Sequence, residues 1–431
     1  MRFTQLAFFE DGSADGLEPV SLLRPAFELV CGQGGLRERA TRALRPEAWG
    51  VFIRESLVEV YREQFPEAHV NRWDWLDHGP TLFLNSQWLC DVDTLKDIDV
   101  DTVGVLDGHV AYACLHPHEA ELASIGDISL MVPQLARLRA NRVEAPGHWL
   151  ANPWQLIDQN STMLARDFAA LRGAGGEQRD RPDVTILGPR DQVWIDSSAE
   201  IEPYVVIDAR PGPVSIAAGA VIQAFTRIEG PAHIGAGARL YRASLKSGVT
   251  IGPGCRVGGE VEGSILQAHV NKYHDGFLGH AYVCPWVNLG AQTANSDLKS
   301  DYSPIRYARP LGSVATGLKK VGCFIGDHTK TGLGSLINAG SHIGVMAMVL
   351  PSGGLLPRFI PSFATVWNGE LTETISIDRC FAAASVAMER RNHEFTPAQQ
   401  RLLRQVHRQT AAHREARCQQ PSGSAVAHPG Q

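Results

Sequence analysis

The sequence predicts an α/β domain, then a parallel β-helix, then a short helical tail. Three observations predict it: an aliphatic residue returning every six positions through the middle of the chain, short apolar runs alternating with helical stretches before it, and a capped helix after it. The chain has 431 residues with 42 Gly and 25 Pro, together about 15% against the usual ~12%. That excess is far from collagen-like or disordered compositions and belongs to a regular, turn-rich architecture. With 44% hydrophobic residues the chain can bury a large core, and its length suggests two or three domains. A net charge of −6 argues against a nucleic-acid partner. No stretch approaches the ~18 apolar residues of a membrane span. The opening MRFTQLAFFEDG turns acidic and is not expected to be a signal peptide. Eight scattered cysteines without a CxxC pair read as reduced thiols of a cytoplasmic protein, with no disulfide framework and no metal site.

Residues 1–171 carry apolar runs at Leu6–Phe9, Val51–Ile53, Thr81–Leu84, Thr102–Leu106 and Val110–Leu115, interleaved with helical stretches such as Gly35–Leu44 and Glu119–Leu122. This βα alternation suggests a largely parallel sheet. Asn152–Leu171 has helical spacing. Residues 172–183, with GAGGEQRDRP at their centre, read as a linker.

The β-helix is expected over 184–368. Ile195, Ile201 and Ile207 open the period; Ile216, Ile222, Ile228, Ile234 and Leu240 continue it, followed by Ile251 and Val257, then Phe277, Val283 and Leu289, then Ile325, Thr331, Ile337, Ile343 and Val349. Helices alternate at three and four and ordinary strands at two, so period six with small residues at the bends marks short strands around a triangular coil of about 18 residues. The register breaks at 208–215, 260–276 and 295–321. Insertions in a solenoid project from one face, often the binding face.

Residues 369–417 read as two helices. One covers Ile375–Arg391. The next has Thr396 as N-cap, Pro397 at its first position and Gln399 completing a capping box, and is expected to run to Arg417 with a basic, solvated face. Residues 418–431 look disordered.

Polar residues gather in 271–295, NKYHDGFLGHAYVCPWVNLGAQTAN. A histidine there is suited to general-base work near pH 7. His269, His274 and His280 do not share one six-residue register, which argues against a three-histidine metal site. Lys272, Lys299, Lys319, Lys320 and Lys330 offer charge for phosphates.

The order α/β domain, linker, β-helix, helical tail resembles the bifunctional UDP-N-acetylglucosamine pyrophosphorylase/glucosamine-1-phosphate acetyltransferase (GlmU-like) family, and within it a divergent sugar-nucleotidyltransferase branch. The stretches that carry this are RPAFELVCGQGGLRER, HDGFLGHAYVCPWVNLGAQTANSDLK, and GDHTKTGLGSLINAGSHIGV followed by RFIPSF. The resemblance implies a nucleotidyltransferase-like first domain and a left-handed hexapeptide β-helix, transferring an acetyl group from acetyl-CoA to an amino sugar phosphate or sugar nucleotide. It also implies a homotrimer with active sites between neighbouring β-helices.

Laying Val287–Thr293 on the family's Val-Asn-Ile-Gly-Ala-Gly-Thr element puts His274 at the catalytic position. Asn288 then matches a substrate contact, and Ala291 a backbone contact to CoA. Lys272, Asn295 and Tyr302 are further substrate-binding candidates, and Lys330 a CoA-binding one. Phe277 stands where the family has tyrosine and Gln292 where it has glycine, which puts the identity of the sugar in question. In the first domain Arg24, in Leu23-Arg24-Pro25, is the nucleotide-binding candidate, and Gly32-Gln33-Gly34-Gly35 before a helix is a possible phosphate cradle. The family's glycine-rich run and lysine are missing, and Phe83–Gln87 stands where the metal-binding aspartate is expected. Mg²⁺ therefore enters only if this domain is active. Two other readings stay open: an acetyltransferase with an inactive first domain, and a trimeric sugar-nucleotide scaffold or sensor without catalysis.

Overall fold

The computed structural model describes residues 3–12, 14–99, 101–117, 119, 132, 134, 141–173, 184–351, 353–372 and 376–418. Most of the expected linker, most of the stretch Glu119–Leu122 and the tail after 418 lie outside the described residues. Two compact units are present, Met1–Gly176 and Glu177–Gln431.

In the first unit the five apolar runs become β1 (Gln5–Phe9), β2 (Ala48–Phe52), β4 (Thr81–Asn85), β6 (Val103–Leu106) and β7 (His109–Leu115), and strands not expected from the sequence are added to them, β3 (His69–Val70), β5 (Trp88–Leu89) and β8 (Arg142–Glu144). The sheet order is β3-β2-β1-β4-β7-β6-β8, and β5 stands apart from it. It is parallel from β3 to β4, while β7 runs antiparallel to both β4 and β6. Every residue of β1 and β4 is buried, as expected of strands covered on both faces. Helices α1 (Leu36–Leu44), α2 (Glu55–Gln64), α3 (Val92–Lys96) and α4 (Trp154–Gly173) belong to the same unit. A buried pair ties α4 to α1: Arg39 holds both carboxylate oxygens of Asp167 at 2.9 Å.

In the second unit the six-residue period closes into a parallel β-helix. Its longest face stacks nine strands, from Val193–Ile195 to Phe359–Ile360. Ile216, Ile234 and Ile251 follow one another inward along it and are fully buried. Each such side chain contributes roughly 1.5–3 kcal/mol by leaving water.

The breaks in the period resolve differently. At 208–215 the coil is longer, so that Ile195 lies beside Ile216. At 260–276 nothing projects: the coil is shortened, Val257 pairs with Lys272, and Glu260 pairs with Phe277. The expected inward position of Phe277 is corrected by one residue. Leu278 is buried and Phe277 faces outward. At 295–321 there is a true insertion, containing the hairpin Arg306–Arg309 with Gly312–Ala315, after which Val283 pairs with Ile325.

The tail forms α5 (Ile377–Glu389), α6 (Pro397–Gln409) and α7 (Ala411–Cys418). The capping box at Thr396 is present in full, but the second helix ends at Thr410 instead of continuing. The solvated basic face is corrected at Arg414. That residue is 6% exposed and donates to the carbonyls of Ser362 and His407 and the hydroxyl of Thr410. Aromatic corner residues of the coils face this tail. His269 stacks on Trp286 at 4.3 Å, His393 meets both rings edge-on, and Phe395 packs on His328.

Candidate active site

His274 lies on the tight segment between Lys272 and Phe277. Its side chain is exposed, and its ring meets that of Tyr273 edge-on at 4.9 Å. Tyr273 in turn packs on Tyr241, two coils away across Gly258, at 4.3 Å. The main chain beneath is held closely. Gly276 has φ +134°, and a Cβ there would lie 2.1 Å from the Thr293 carbonyl. A Cβ on Gly258 would lie 2.2 Å from the Tyr273 carbonyl. Gly258 and Gly276 are thus glycines because adjacent coils touch at this corner.

Ala291 comes to the same corner in the next coil, because the Gln292 N–H donates to the Asp275 carbonyl at 2.9 Å. The Ala291 carbonyl accepts from the Gly334 N–H at 2.8 Å. Asn288 sits on the adjoining face in a column with Asn271 and Lys330; its Oδ1 accepts from the Asn271 amide at 2.7 Å. The Lys330 ammonium is half-buried, with its pKa lowered by that burial and the Cys380 thiol of α5 nearby.

Two expected substrate contacts have other positions. Lys272 is 2% exposed; it points into the coil and donates to the carbonyls of Gly258 at 2.9 Å and His274 at 2.6 Å. Asn295 is also inside, level with Ile337, with its amide engaged by Gly279. Both were substrate-binding candidates; the register turns them inward. Tyr302 lies in the insertion, 64% exposed.

A different corner carries a pair that sequence reading missed. His280 Nδ1 lies 2.8 Å from Asp297 Oδ2, across 17 residues, and Lys320 bonds Glu262 nearby at 2.7 Å. The signal that could have found the pair is coil length: once the shortened coils are counted, His280 and Asp297 stack.

In the first unit β1 and β4 are neighbours at the point where the strand order reverses, the usual ligand crevice of such sheets. Glu10, Asp11 and Asn85 lie at the carboxyl ends of these strands. Asn85 Nδ2 donates to Asp11 at 2.9 Å. Glu10 is buried, which raises its pKa against the opposing pull of Arg54, and it accepts from Arg54 at 2.7 Å. Arg54 also donates to the carbonyls of Ser21 and Arg24, closing the loop that follows β1. Arg24 donates to the Val20 carbonyl at 2.9 Å.

The phosphate cradle expected at Gly32–Gly35 is corrected. The Gly32 N–H is taken by Asn160 at 2.7 Å and the Gln33 N–H by Asp167 at 2.9 Å, so a carboxylate of the chain itself sits where an anion would. Of the groups at the crevice between β1 and β4, the Asp11 carboxylate is the one suited to Mg²⁺, which needs only one or two carboxylates beside substrate phosphates. Asn85 is a neutral amide, Glu10 is committed to Arg54, and no cluster of three metal-ligating side chains occurs among the described residues.

The α/β unit is followed in the chain by a parallel β-helix, and the proteins to which the chain is similar are transferases. Residues 6–174 match the sugar nucleotidyl transferase family, and over less than half of its length the chain is similar to GlmU-like bifunctional proteins. It is 29% identical to an uncharacterized acetyltransferase, YaiX, of Escherichia coli O6:K15:H31, over 37% of the chain and 74% of that protein. It is 26% identical to a bifunctional sugar-1-phosphate nucleotidylyltransferase/acetyltransferase of Sulfurisphaera tokodaii, over 49% of the chain and 47% of that protein. It is 27% identical to the bifunctional protein GlmU of Nostoc sp. PCC 7120, over 41% and 40% respectively. The match spans less than half the length of either bifunctional relative. No helix among the described residues is long and apolar enough to cross a membrane.

Proposed function

We propose that the β-helix transfers an acetyl group from acetyl-CoA to the amine of an amino sugar phosphate or sugar nucleotide, with His274 as general base. The observation that carries this is the exposed imidazole of His274 on a main chain fixed at the corner it shares with Ala291. The thiolate of CoA is a good leaving group, so the tasks left to the protein are modest. His274 removes a proton from the attacking nitrogen. The peptide N–H of Ala291 serves the developing oxyanion, those of Gly290, Gln292 and Thr293 being bonded to main-chain carbonyls. The carbonyl then re-forms, carbon–sulfur bond cleavage releases CoA thiolate, and the proton held by His274 is returned to it. Asn288 and Lys330 line the approach to that corner. An exposed His274 in a single copy agrees with a trimer in which a neighbouring β-helix completes the site. Such substrates, UDP-N-acetylglucosamine precursors among them, place the protein in the cytoplasm.

The first unit suits the sugar-phosphate or nucleotide end of the same chemistry. Its closed loop and amide-terminated β4 favour a second reading, in which that unit binds without turnover. One pair of assays separates them. The full chain is incubated with acetyl-CoA and a panel of hexosamine 1-phosphates, and separately with UTP or dTTP, Mg²⁺ and the same sugars. Thiol release lost in His274→Ala supports acyl transfer, and no release from the native chain refutes it. Pyrophosphate release establishes nucleotidyl transfer; its absence alongside thiol release favours the second reading.

A further inference from the structure

Two polar side chains interrupt the apolar interior of the solenoid beside His274, and both grip the segment that carries it. Lys272 fills the inward position level with Val257 and bonds the carbonyl of His274 itself, together with that of Gly258 in the coil below. Asn295 bonds the N–H and the carbonyl of Gly279, each at 2.8 Å. Residues 274–279 are therefore anchored from inside at both ends. On the outside the Gln292 N–H takes the Asp275 carbonyl.

An aliphatic side chain at 272 would serve the core better, since withdrawing an ammonium from water costs several kcal/mol even after relaxation. That cost shows in the lysine, whose pKa burial pushes down to about 8. Both of its bonds go to main-chain carbonyls inside the coil, which leaves positioning as the role it performs.

We infer that Lys272 is a positioning residue for His274, fixing the peptide beneath the imidazole so that the ring meets the acceptor amine. This rests on the reading of His274 as the general base. The bond acts one carbonyl away from the reacting side chain, and a misplacement of about 1 Å at a reacting group can cost on the order of 100-fold in rate. Substrate binding makes no such demand, so the effect falls on kcat and spares KM.

The test compares the full-length native chain, Lys272→Met and Lys272→Gln, with acetyl-CoA and glucosamine 1-phosphate as probes. Thiol release is followed together with amide hydrogen exchange. Lys272→Met is expected to lower kcat by about 10- to 100-fold with both KM values within about twofold. Exchange should accelerate in the 272–279 peptide and stay unchanged in the 340–350 peptide. Lys272→Gln keeps two N–H donors and is expected to recover part of kcat; it is also read alone should the methionine variant not fold. Native kcat in Lys272→Met, or a raised KM at unchanged kcat, overturns the inference, as does unchanged exchange at 272–279. If the native chain releases no thiol, the acyl-transfer reading falls, while the exchange measurement still decides whether Lys272 pins the segment.

Discussion

Asn295 bonds Gly279 with both ends of its amide: Oδ1 accepts from the N–H of Gly279 and Nδ2 donates to its carbonyl, each at 2.8 Å, while Nδ2 also donates to the Ser296 carbonyl at 3.1 Å. This amide does inside the coil what a strand partner does elsewhere. Its removal leaves two buried peptide groups unsatisfied, at roughly 1–3 kcal/mol each. Asn295→Ala is expected to lose about 2–4 kcal/mol of stability, read as a lower urea midpoint. The KM for sugar should not change in the folded protein.

His274→Ala gives the opposite pattern. The side chain is exposed, so thermal stability should hold within about 1 °C, surface changes being worth about ±0.5 kcal/mol or less. Acyl transfer should fall by about 10²- to 10⁴-fold, the usual contribution of a positioned general base. A loss below tenfold would place the base elsewhere.

His280 and Asp297 are expected to secure the insertion. The main chain agrees, since the Gly322 N–H donates to the His280 carbonyl and the Val321 N–H to that of Asp297, both at 2.9 Å. In His280→Ala, trypsin should cut faster at Lys299 and Lys319, while kcat for thiol release stays within about twofold of native, as for a change remote from the reacting groups. Unchanged cleavage would show that the hairpin is held by other contacts.

Acid should weaken the second unit through its buried histidines. His342 is 4% exposed with Nδ1 3.0 Å from the Tyr307 hydroxyl; burial, then His413 and Arg309, hold its pKa down to about 3. Burial, then His393 and Arg391, lower that of His269 to about 4. An unfolded histidine takes its proton near 6.5. The unfolded chain therefore binds more protons between pH 6.5 and about 4, and stability present above 6.5 drains as pH falls through that window. Urea melts from pH 7 to 4 should show this slope, and His342→Phe should flatten it.

The Arg39–Asp167 pair sets the stability of the first unit. Both side chains are 1% exposed, so Arg39→Met, which strands a buried carboxylate, is expected to cost about 3–5 kcal/mol. Arg39→Met with Asp167→Leu should cost less. Thermal unfolding of the three proteins checks the order.

Much of the architecture was legible because it repeats. Aliphatic residues at period six have one economical arrangement, and the capping box at Thr396 carries its own local geometry. The site was legible only in part. His274 and Ala291 were placed by a motif, and the structure brings them to one corner. Lys272 and Asn295 were read as substrate contacts, and the structure turns both into the coil. The shortened coil at 260–276 shifts the inward position from Phe277 to Leu278, and no local pattern announces such a shift.

The sequence by itself determined that the chain would build a glycine-cornered solenoid behind an α/β unit, since period and turn chemistry are local properties. Only the tertiary structure decided which polar residues face water. That depends on how many residues each turn of the coil contains, a quantity fixed by packing between coils. The same holds at Gly32–Gly35, where a turn shaped for a phosphate is filled by Asp167, 134 residues distant from Gln33.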